Sequence, residues 1–396
     1  MSIVTEKPGA ENRRTGGAAG KNSAALSAWP TPEPTYEGDF VLDEPLLLDC
    51  GRSLAGTTLH YAVYGRLNGA RDNAVLVCHA LSGSARVGEW WPELFAPGAL
   101  LNLEVDCVIC VNLLGSCYGS TGPGSVDRET GAVFGADFPL VSIRDNVRAQ
   151  GKLLDSLGIA RLRLVLGGSI GGMQALEWTI VHAGRVARAV IIAVAPLAAM
   201  GLALNHVQRQ AIQQDPDWAG GHYLPQRPPR RGLGLARQIA MLSYKAQPLL
   251  DVRFGRNPNR NGEDPRGLDD QGGGLIGGRF DIAGYLDHQG ERFIDRFDAN
   301  AYLAISRTMD TWDPLHGRAK PVEAFGAIEA RLTLVGISSD WLFPPEAVRQ
   351  FADTIREAGV RAEYRLMTSD HGHDAFLAEQ GELVRLLREP FPMVGV

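Results

Sequence analysis

Apolar residues along the chain follow two alternating periods. Short, mostly apolar runs at residues 73–78, 105–111, 162–166 and 186–194, and later at 331–337 and 362–367, read as strands. The inner runs are apolar at nearly every position, as expected of parallel strands covered on both faces. Earlier, residues 46–48 and the alternating stretch Thr58-Leu59-His60-Tyr61-Ala62-Val63-Tyr64-Gly65 suit an edge hairpin. Residues 143–157 are apolar at helical spacing and stop at Gly158, and Met173-Gln174-Ala175-Leu176-Glu177-Trp178 combines helix formers with an apolar face. Strands alternating with helices in this way predict an α/β fold, with a largely parallel central sheet and helices on both faces.

The pattern breaks twice. Residues 1–38, with Gly16-Gly17-Ala18-Ala19-Gly20 and Trp29-Pro30-Thr31-Pro32-Glu33-Pro34, have too little patterned apolar content to fold alone and are expected to be a disordered tail. Residues 197–313 change to helix-like segments divided by breakers, including Pro228-Pro229 and a polar, glycine-rich run at 257–278. Inserted between two strands, this segment is expected to lie over the carboxyl edge of the sheet as a helical cap. The core is then residues 39–196 and 314–396, and no internal repeat is visible.

Composition narrows the class. With 396 residues and 45% hydrophobic content the chain can bury a large core, and a net charge of −6 offers no general attraction for nucleic acid or a membrane surface. No stretch is long and apolar enough to span a bilayer, and the N-terminus lacks the apolar core of a secretory signal, so the expected location is the cytoplasm. The five cysteines are an odd number confined to the first third, which argues against a disulfide framework. Cys107 and Cys110 have C-x-x-C spacing but sit inside an apolar strand without a second ligand pair, so no metal is expected.

The chemistry gathers at Gly167-Gly168-Ser169-Ile170-Gly171, where an apolar run ends at a serine enclosed by glycines. A strand, a serine and a helix in immediate succession make the G-x-S-x-G nucleophile elbow, which lifts the hydroxyl above the carboxyl edge of a sheet. Two later loops open at that same edge. Asp340 follows one late strand, and His371 and His373 follow the next, giving the chain order Ser, Asp, His of an α/β-hydrolase triad. A serine hydroxyl needs an adjacent base, an imidazole can return the proton to the leaving group, and Asp340 would hold the ring's tautomer. On spacing alone His371 and His373 compete for the base. The oxyanion would be met by the backbone N–H of Ile170, just after the nucleophile, and of Leu81, in the loop after the strand ending at Cys78. His79, beside that loop, reads as a satisfied core histidine.

Five separated motifs carry a resemblance: residues 73–83 ending His79-Ala80-Leu81-Ser82-Gly83; Gly115-Ser116-Cys117-Tyr118-Gly119-Ser120-Thr121-Gly122-Pro123; the elbow extended to Trp178; Arg296-Phe297-Asp298-Ala299-Asn300-Ala301-Tyr302-Leu303; and Gly372-His373-Asp374-Ala375-Phe376-Leu377. From about Phe40 to its end the chain resembles the homoserine O-acyltransferase family of the α/β-hydrolase fold. The resemblance implies Ser169 as nucleophile, Asp340 as triad acid and His373 rather than His371 as base. It also implies recognition of the amino-acid substrate by Arg237 and Asp374, which supply the cation and anion that a zwitterion requires.

The reaction implied is ping-pong transfer of an acyl group from acetyl-CoA to the hydroxyl of L-homoserine, without a permanently bound cofactor. The cap would narrow the way to the serine against water, with Arg227, Arg230, Arg231 and Lys245 as candidates for CoA phosphates. A homodimer through the cap is expected from the same resemblance. Three features depart from the family's acetyltransferases. Ser82 replaces a threonine, Ser84-Ala85-Arg86-Val87-Gly88 lacks the usual acidic and histidine residues, and the stretch Asn205-His206-Val207-Gln208-Arg209-Gln210 is unusual. These loops lie near the substrate pockets and leave acetyl or succinyl donor, and homoserine or serine acceptor, as alternatives. A carboxylesterase or deacetylase on the same fold would keep the triad without needing Arg237 or Asp374. A non-catalytic binding protein would have no need of the triad.

Overall fold

In a computed structural model, which describes residues 31–259, 265–266 and 278–388, an eight-stranded sheet runs through the chain. Its strands, with a two-stranded ribbon of β2 and β3 beside it, are β1 (Tyr36–Val41), β2 (Leu46–Leu47), β3 (Ser53–Leu54), β4 (Thr58–Gly65), β5 (Ala74–Cys78), β6 (Cys107–Val111), β7 (Leu164–Gly168), β8 (Arg188–Ile192), β9 (Arg331–Ile337) and β10 (Ala362–Met367). The sheet order is β1-β4-β6-β5-β7-β8-β9-β10. β4 pairs antiparallel with β1 and with β6, and every later pairing is parallel. Each residue of β5, β6 and β7 is buried, which is why these segments show no alternation in the sequence.

The antiparallel edge corrects two expectations. β4 does lie in an antiparallel edge pair, but its partner there is β1, whereas residues 46–47 pair with β3 in the separate ribbon. Residues 36–38, assigned to the tail, belong to β1 in register with β4, so the folded part begins earlier than expected. Thr35 extends that pairing with a backbone bond to Val63. The rest of the expected tail, residues 1–30, lies outside the described residues, as does most of the glycine-rich run at 257–278.

Helices cover both faces. They begin with the short α1 (Val87–Trp90), followed by α2 (Ile143–Ser156), opened by a capping box between Ser142 and Asp145, and α3 (Ile170–Val181), which starts directly after Ser169. The polar residues of α3 are satisfied internally: Gln174 Oε1 accepts from Gln150 at 2.8 Å, and Glu177 pairs with Arg144 at 2.7 Å. Trp178 donates to Gln150 at 2.7 Å. These contacts lock α3 to α2 and make the elbow's helix a rigid support.

Between β8 and β9 the chain leaves the sheet and forms α4 (Ala199–Gln213), α5 (Arg230–Tyr244), α6 (Gln247–Arg253), α7 (Asp281–Ile294) and α8 (Ala299–Asp310), the helical insertion expected there. The chain then closes with α9 (Pro321–Phe325), α10 (Pro345–Glu357), α11 (Ala375–Ala378) and α12 (Gln380–Arg388). No helix among the described residues is long and apolar enough to cross a membrane.

The elbow depends on close backbone approach. A Cβ on Gly171 would stand 2.1 Å from the carbonyl oxygen of Cys78 in β5, and one on Gly168 would stand 2.5 Å from the ring of Phe376. Gly171→Ala is expected to lower stability by at least about 3 kcal/mol or to prevent folding, because a backbone oxygen cannot move aside. Gly69→Ala, where the added methyl group meets nothing within 4 Å, should change stability by less than about 0.5 kcal/mol. Denaturant unfolding of the two variants measures the difference.

Candidate active site

Ser169 occupies the one-residue turn between β7 and α3 with φ 57° and ψ −131°, left-handed backbone that a non-glycine residue adopts only under constraint. The constraint is visible: its N–H donates to the carbonyl of Ile192 in β8 at 2.9 Å, and its carbonyl accepts from Met173 at 3.0 Å. The side chain is thereby aimed out of the sheet, at the start of α3, where the helix presents its positive end.

Asp340 lies in the turn after β9. Its Oδ1 accepts from the backbone N–H groups of Leu342 and Phe343, each at 2.9 Å, and its Oδ2 meets Nδ1 of His373 at 2.7 Å. Both side chains are almost fully buried, at 0% and 3% exposure, so the pair is shielded from water. Phe343 stacks on the imidazole with ring centroids 5.3 Å apart, Phe376 meets it edge-on at 5.8 Å and Tyr244 of the cap lies 5.9 Å away. Burial is the largest single influence on His373 and disfavours the imidazolium. The charge of Asp340, its hydrogen bond and the charge of Asp374 together outweigh it, so the ring titrates above the ordinary imidazole value.

His371 is directed elsewhere: its Nδ1 meets Glu379 at 2.7 Å, and the side chain is about one-third exposed. The structure therefore pairs Asp340 with His373, the histidine singled out by the resemblance. His79 is fully buried, with Nδ1 donating to the carbonyl of Ala80 at 2.8 Å and Nε2 accepting the N–H of Leu113 at 3.1 Å. That pattern requires the neutral ring, and burial pushes its pKa down to about 4. It is a satisfied core histidine that braces the loop after β5.

Ser169 and His373 share the wall of one cavity of about 90 Å³ with Ala80, Leu81 and Ser82. Ile170 is the first residue of α3, so its N–H has no acceptor within the helix. Arg237 and Asp374 also line the cavity, although α5 and the loop after β10 supply them from well-separated parts of the chain. Arg237 lies over the rings of Phe293 at 4.8 Å and Tyr244 at 5.5 Å, a setting that holds a guanidinium while leaving its N–H groups available. Asp374 has a partner that the sequence did not suggest: Lys245 Nζ stands 3.0 Å from its Oδ2.

That ion pair changes the reading of Lys245, which was expected to meet a phosphate. Arg227 and Arg230 are likewise engaged, with Asp217 at 2.6 Å and Asp295 at 2.7 Å, and Arg231 is exposed; none of these three arginines lines the cavity. Charged residues in a cap find carboxylates brought close by folding, and their pairing is invisible to a linear scan. Asn205 and Gln208 on α4 also line the wall; the sequence placed their unusual stretch near the substrate pockets but named neither as a wall residue. Ser82 is in the wall too, whereas Arg86 turns outward to Glu37 at 2.6 Å. Cys107 and Cys110 are buried in β6, and among the described residues no group of histidine, cysteine and carboxylate side chains could hold a metal ion.

Comparison with known proteins agrees with this geometry. The α/β-hydrolase fold family model matches residues 73–380. The homoserine O-acetyltransferase of Symbiobacterium thermophilum is 44% identical over 89% of this chain and 94% of its own length, and the homoserine O-succinyltransferase of Acidithiobacillus ferrooxidans is 40% identical over 87% and 91%. Among solved structures, homoserine O-acetyltransferase from Bacillus anthracis superposes with a TM-score of 0.81 at 25% identity, covering 89% of this chain and 96% of that one. Esterase E22 superposes with a TM-score of 0.80 at 22% identity over 89% and 99%, a likeness of fold alone. With its elbow, its buried aspartate–histidine pair and its relatives in agreement, the chain belongs to the homoserine O-acyltransferase family of the α/β-hydrolase fold.

Proposed function

We propose that the protein transfers the acetyl group of acetyl-CoA to the hydroxyl of L-homoserine, giving O-acetyl-L-homoserine for methionine biosynthesis. The observation that carries this reading is the presence, in one cavity, of Ser169, a buried His373 paired with Asp340 at 2.7 Å, and the charged pair Arg237 and Asp374. An esterase needs the first three but has no use for a zwitterion's two counter-charges. The names borne by the relatives support the same assignment.

Ser169 Oγ attacks the thioester carbonyl as His373 takes its proton, and Asp340 stabilises the imidazolium that results. The N–H groups of Leu81 and Ile170 receive the charge developing on the carbonyl oxygen. Collapse of the tetrahedral intermediate breaks the C–S bond, and the proton on His373 leaves with the CoA thiol. Homoserine then enters with its carboxylate at Arg237 and its ammonium at Asp374, which it shares with Lys245. His373 takes the proton of the homoserine hydroxyl, the oxygen attacks the acyl-serine, and the proton returns to Ser169 as the ester departs.

Acetyl is favoured over succinyl as the acyl group, although relatives named for each donor stand at 40–44% identity. Succinyl carries a distal carboxylate that needs its own counter-charge. Among the described residues lining the cavity Arg237 is the one arginine or lysine, and the remaining wall includes Leu197, Met309, Leu342 and Leu377. With Arg237 given to homoserine, an acyl carboxylate would be buried unpaired. The same reading places the enzyme in the cytoplasm, where acetyl-CoA is available, and as a homodimer through the cap. Apolar side chains on the cap surface support the dimer, with Val207, Leu235, Leu242 and Val252 between 44% and 89% exposed.

Thiol release from acetyl-CoA should depend on L-homoserine, exceed that from succinyl-CoA at least tenfold, and disappear in Ser169→Ala, with mass spectrometry identifying O-acetylhomoserine. Release indifferent to homoserine would make the protein a hydrolase. Arg237→Gln should raise the homoserine KM by at least tenfold, which is a loss of about 1.4 kcal/mol of binding. The acid limb of kcat/KM reports the free enzyme's base, which must be neutral to act, so in the wild type it should lie above the ordinary imidazole value of about 6.5. In Asp340→Asn only burial remains to dominate His373; the limb should move below that value and kcat should fall on the order of 10⁴-fold. A pH–rate profile of both proteins checks the direction.

A further inference from the structure

Two of the sequence motifs have no part in the chemistry so far, and one side chain joins them to a third. Arg296, in the turn between α7 and α8, donates from Nη1 to the carbonyl oxygen of Ser82 at 2.9 Å and to the hydroxyl of Tyr118 at 2.7 Å. Its guanidinium lies over the ring of Phe293, 5.1 Å from the centroid, and Phe293 is itself stacked on Phe297 at 4.9 Å. Phe297 in turn meets Tyr118 edge-on at 5.7 Å. A residue from the Arg296-Phe297-Asp298 motif of the cap thus holds one residue from the loop after β5 and one from the loop after β6.

Ser82 directly follows Leu81, whose N–H is assigned to the oxyanion. The loop has two anchors. At its beginning His79 binds the carbonyl of Ala80 and the N–H of Leu113, and at its end the carbonyl of Ser82 is bound by Arg296. The Ala80 carbonyl belongs to the same planar peptide as the Leu81 N–H and also accepts from the N–H of Gly83 at 2.9 Å; with the Ser82 carbonyl held by Arg296 as well, the residue between the two anchors has little freedom to turn, and the direction of the Leu81 N–H is set. Arg296 itself is not among the residues that line the cavity shared by Ser169 and His373.

We propose that Arg296 is a positioning residue that aims the Leu81 N–H at the oxyanion and makes that donor depend on a docked cap. The planar guanidinium suits the task because one nitrogen reaches two acceptors while its face rests on Phe293; lysine can supply the charge but not this geometry. Because the oxyanion forms in both half-reactions, loss of Arg296 slows acylation and deacylation together and leaves homoserine recognition at Arg237 and Asp374 intact.

The inference rests on the proposed acyl transfer, and the test separates the two. Arg296→Met, Arg296→Lys and Tyr118→Phe are compared with wild type in three measurements: the rate of Ser169 acetylation by acetyl-CoA without acceptor, kcat and KM with homoserine, and inhibition by methylboronic acid, which forms a tetrahedral adduct on serine. For Arg296→Met, acetylation and kcat should each fall at least tenfold, the homoserine KM should stay within twofold, and the boronate inhibition constant should rise by a factor similar to the loss of acetylation rate. Arg296→Lys should recover only part of the loss. Tyr118→Phe should show the same pattern at two- to fivefold, and it carries the test if Arg296→Met does not fold. Unchanged acetylation and boronate binding in the folded variants, or a loss confined to the homoserine KM, would overturn the role of Arg296. Failure of the wild type to turn over homoserine would overturn the acyl transfer itself, while boronate binding would still report on Arg296.

Discussion

Everything in this molecule turns on holding Ser169 in backbone that an L-residue resists. A residue in such a region costs about 1–3 kcal/mol and persists only where its surroundings over-determine it. Here the surroundings are a sheet hydrogen bond to Ile192 on one side, the first turn of α3 on the other, and glycines that let β5 and Phe376 approach without collision. The buried polar links between α3 and α2 then serve the site as much as the core. They keep the helix from relaxing in the direction that would relieve the turn.

Once the serine is presented, the character of the site depends on charge placed in a small, shielded space. Asp340 is held by two backbone N–H groups before it reaches His373, so its direction is set independently of the histidine it orients. A second carboxylate, Asp374, follows immediately and also favours the imidazolium, whereas Lys245 opposes it. The ion pair between Lys245 and Asp374 therefore moderates the base while keeping an anion in the cavity wall for an incoming ammonium group. On the proposed reading, a site for a zwitterion and a site for proton transfer are built from adjacent residues.

The fold alone does not choose between transferring an acyl group and hydrolysing an ester, since an esterase superposes on this chain about as well as an acyltransferase does. On the proposed reading the choice lies in the side chains that the inserted helices add to the site. α5 contributes Arg237 to the wall and brings Tyr244 against His373, and the segment between α7 and α8 brings Arg296 to the oxyanion loop.

Much of this was legible in the sequence because it is local. Uninterrupted apolar runs marked β5, β6 and β7, the glycines around Ser169 marked the turn, and the position of Asp340 and His373 after strands marked the sheet edge where they meet. The motifs then narrowed the family. Tertiary structure decided what depends on distant partners: that His371 belongs to Glu379 and His373 to Asp340, that Lys245 pairs with Asp374, and that Arg227 and Arg230 are held by Asp217 and Asp295. It also decided that residues 36–38 form part of an edge strand, because a half-exposed strand is recognised by its partner β4 more than by its own weak pattern. Periodicity reports which face of an element is buried. It carries no information on where a long charged side chain ends, and for Arg296 that end lies beside residues 178 and 214 positions away in the chain.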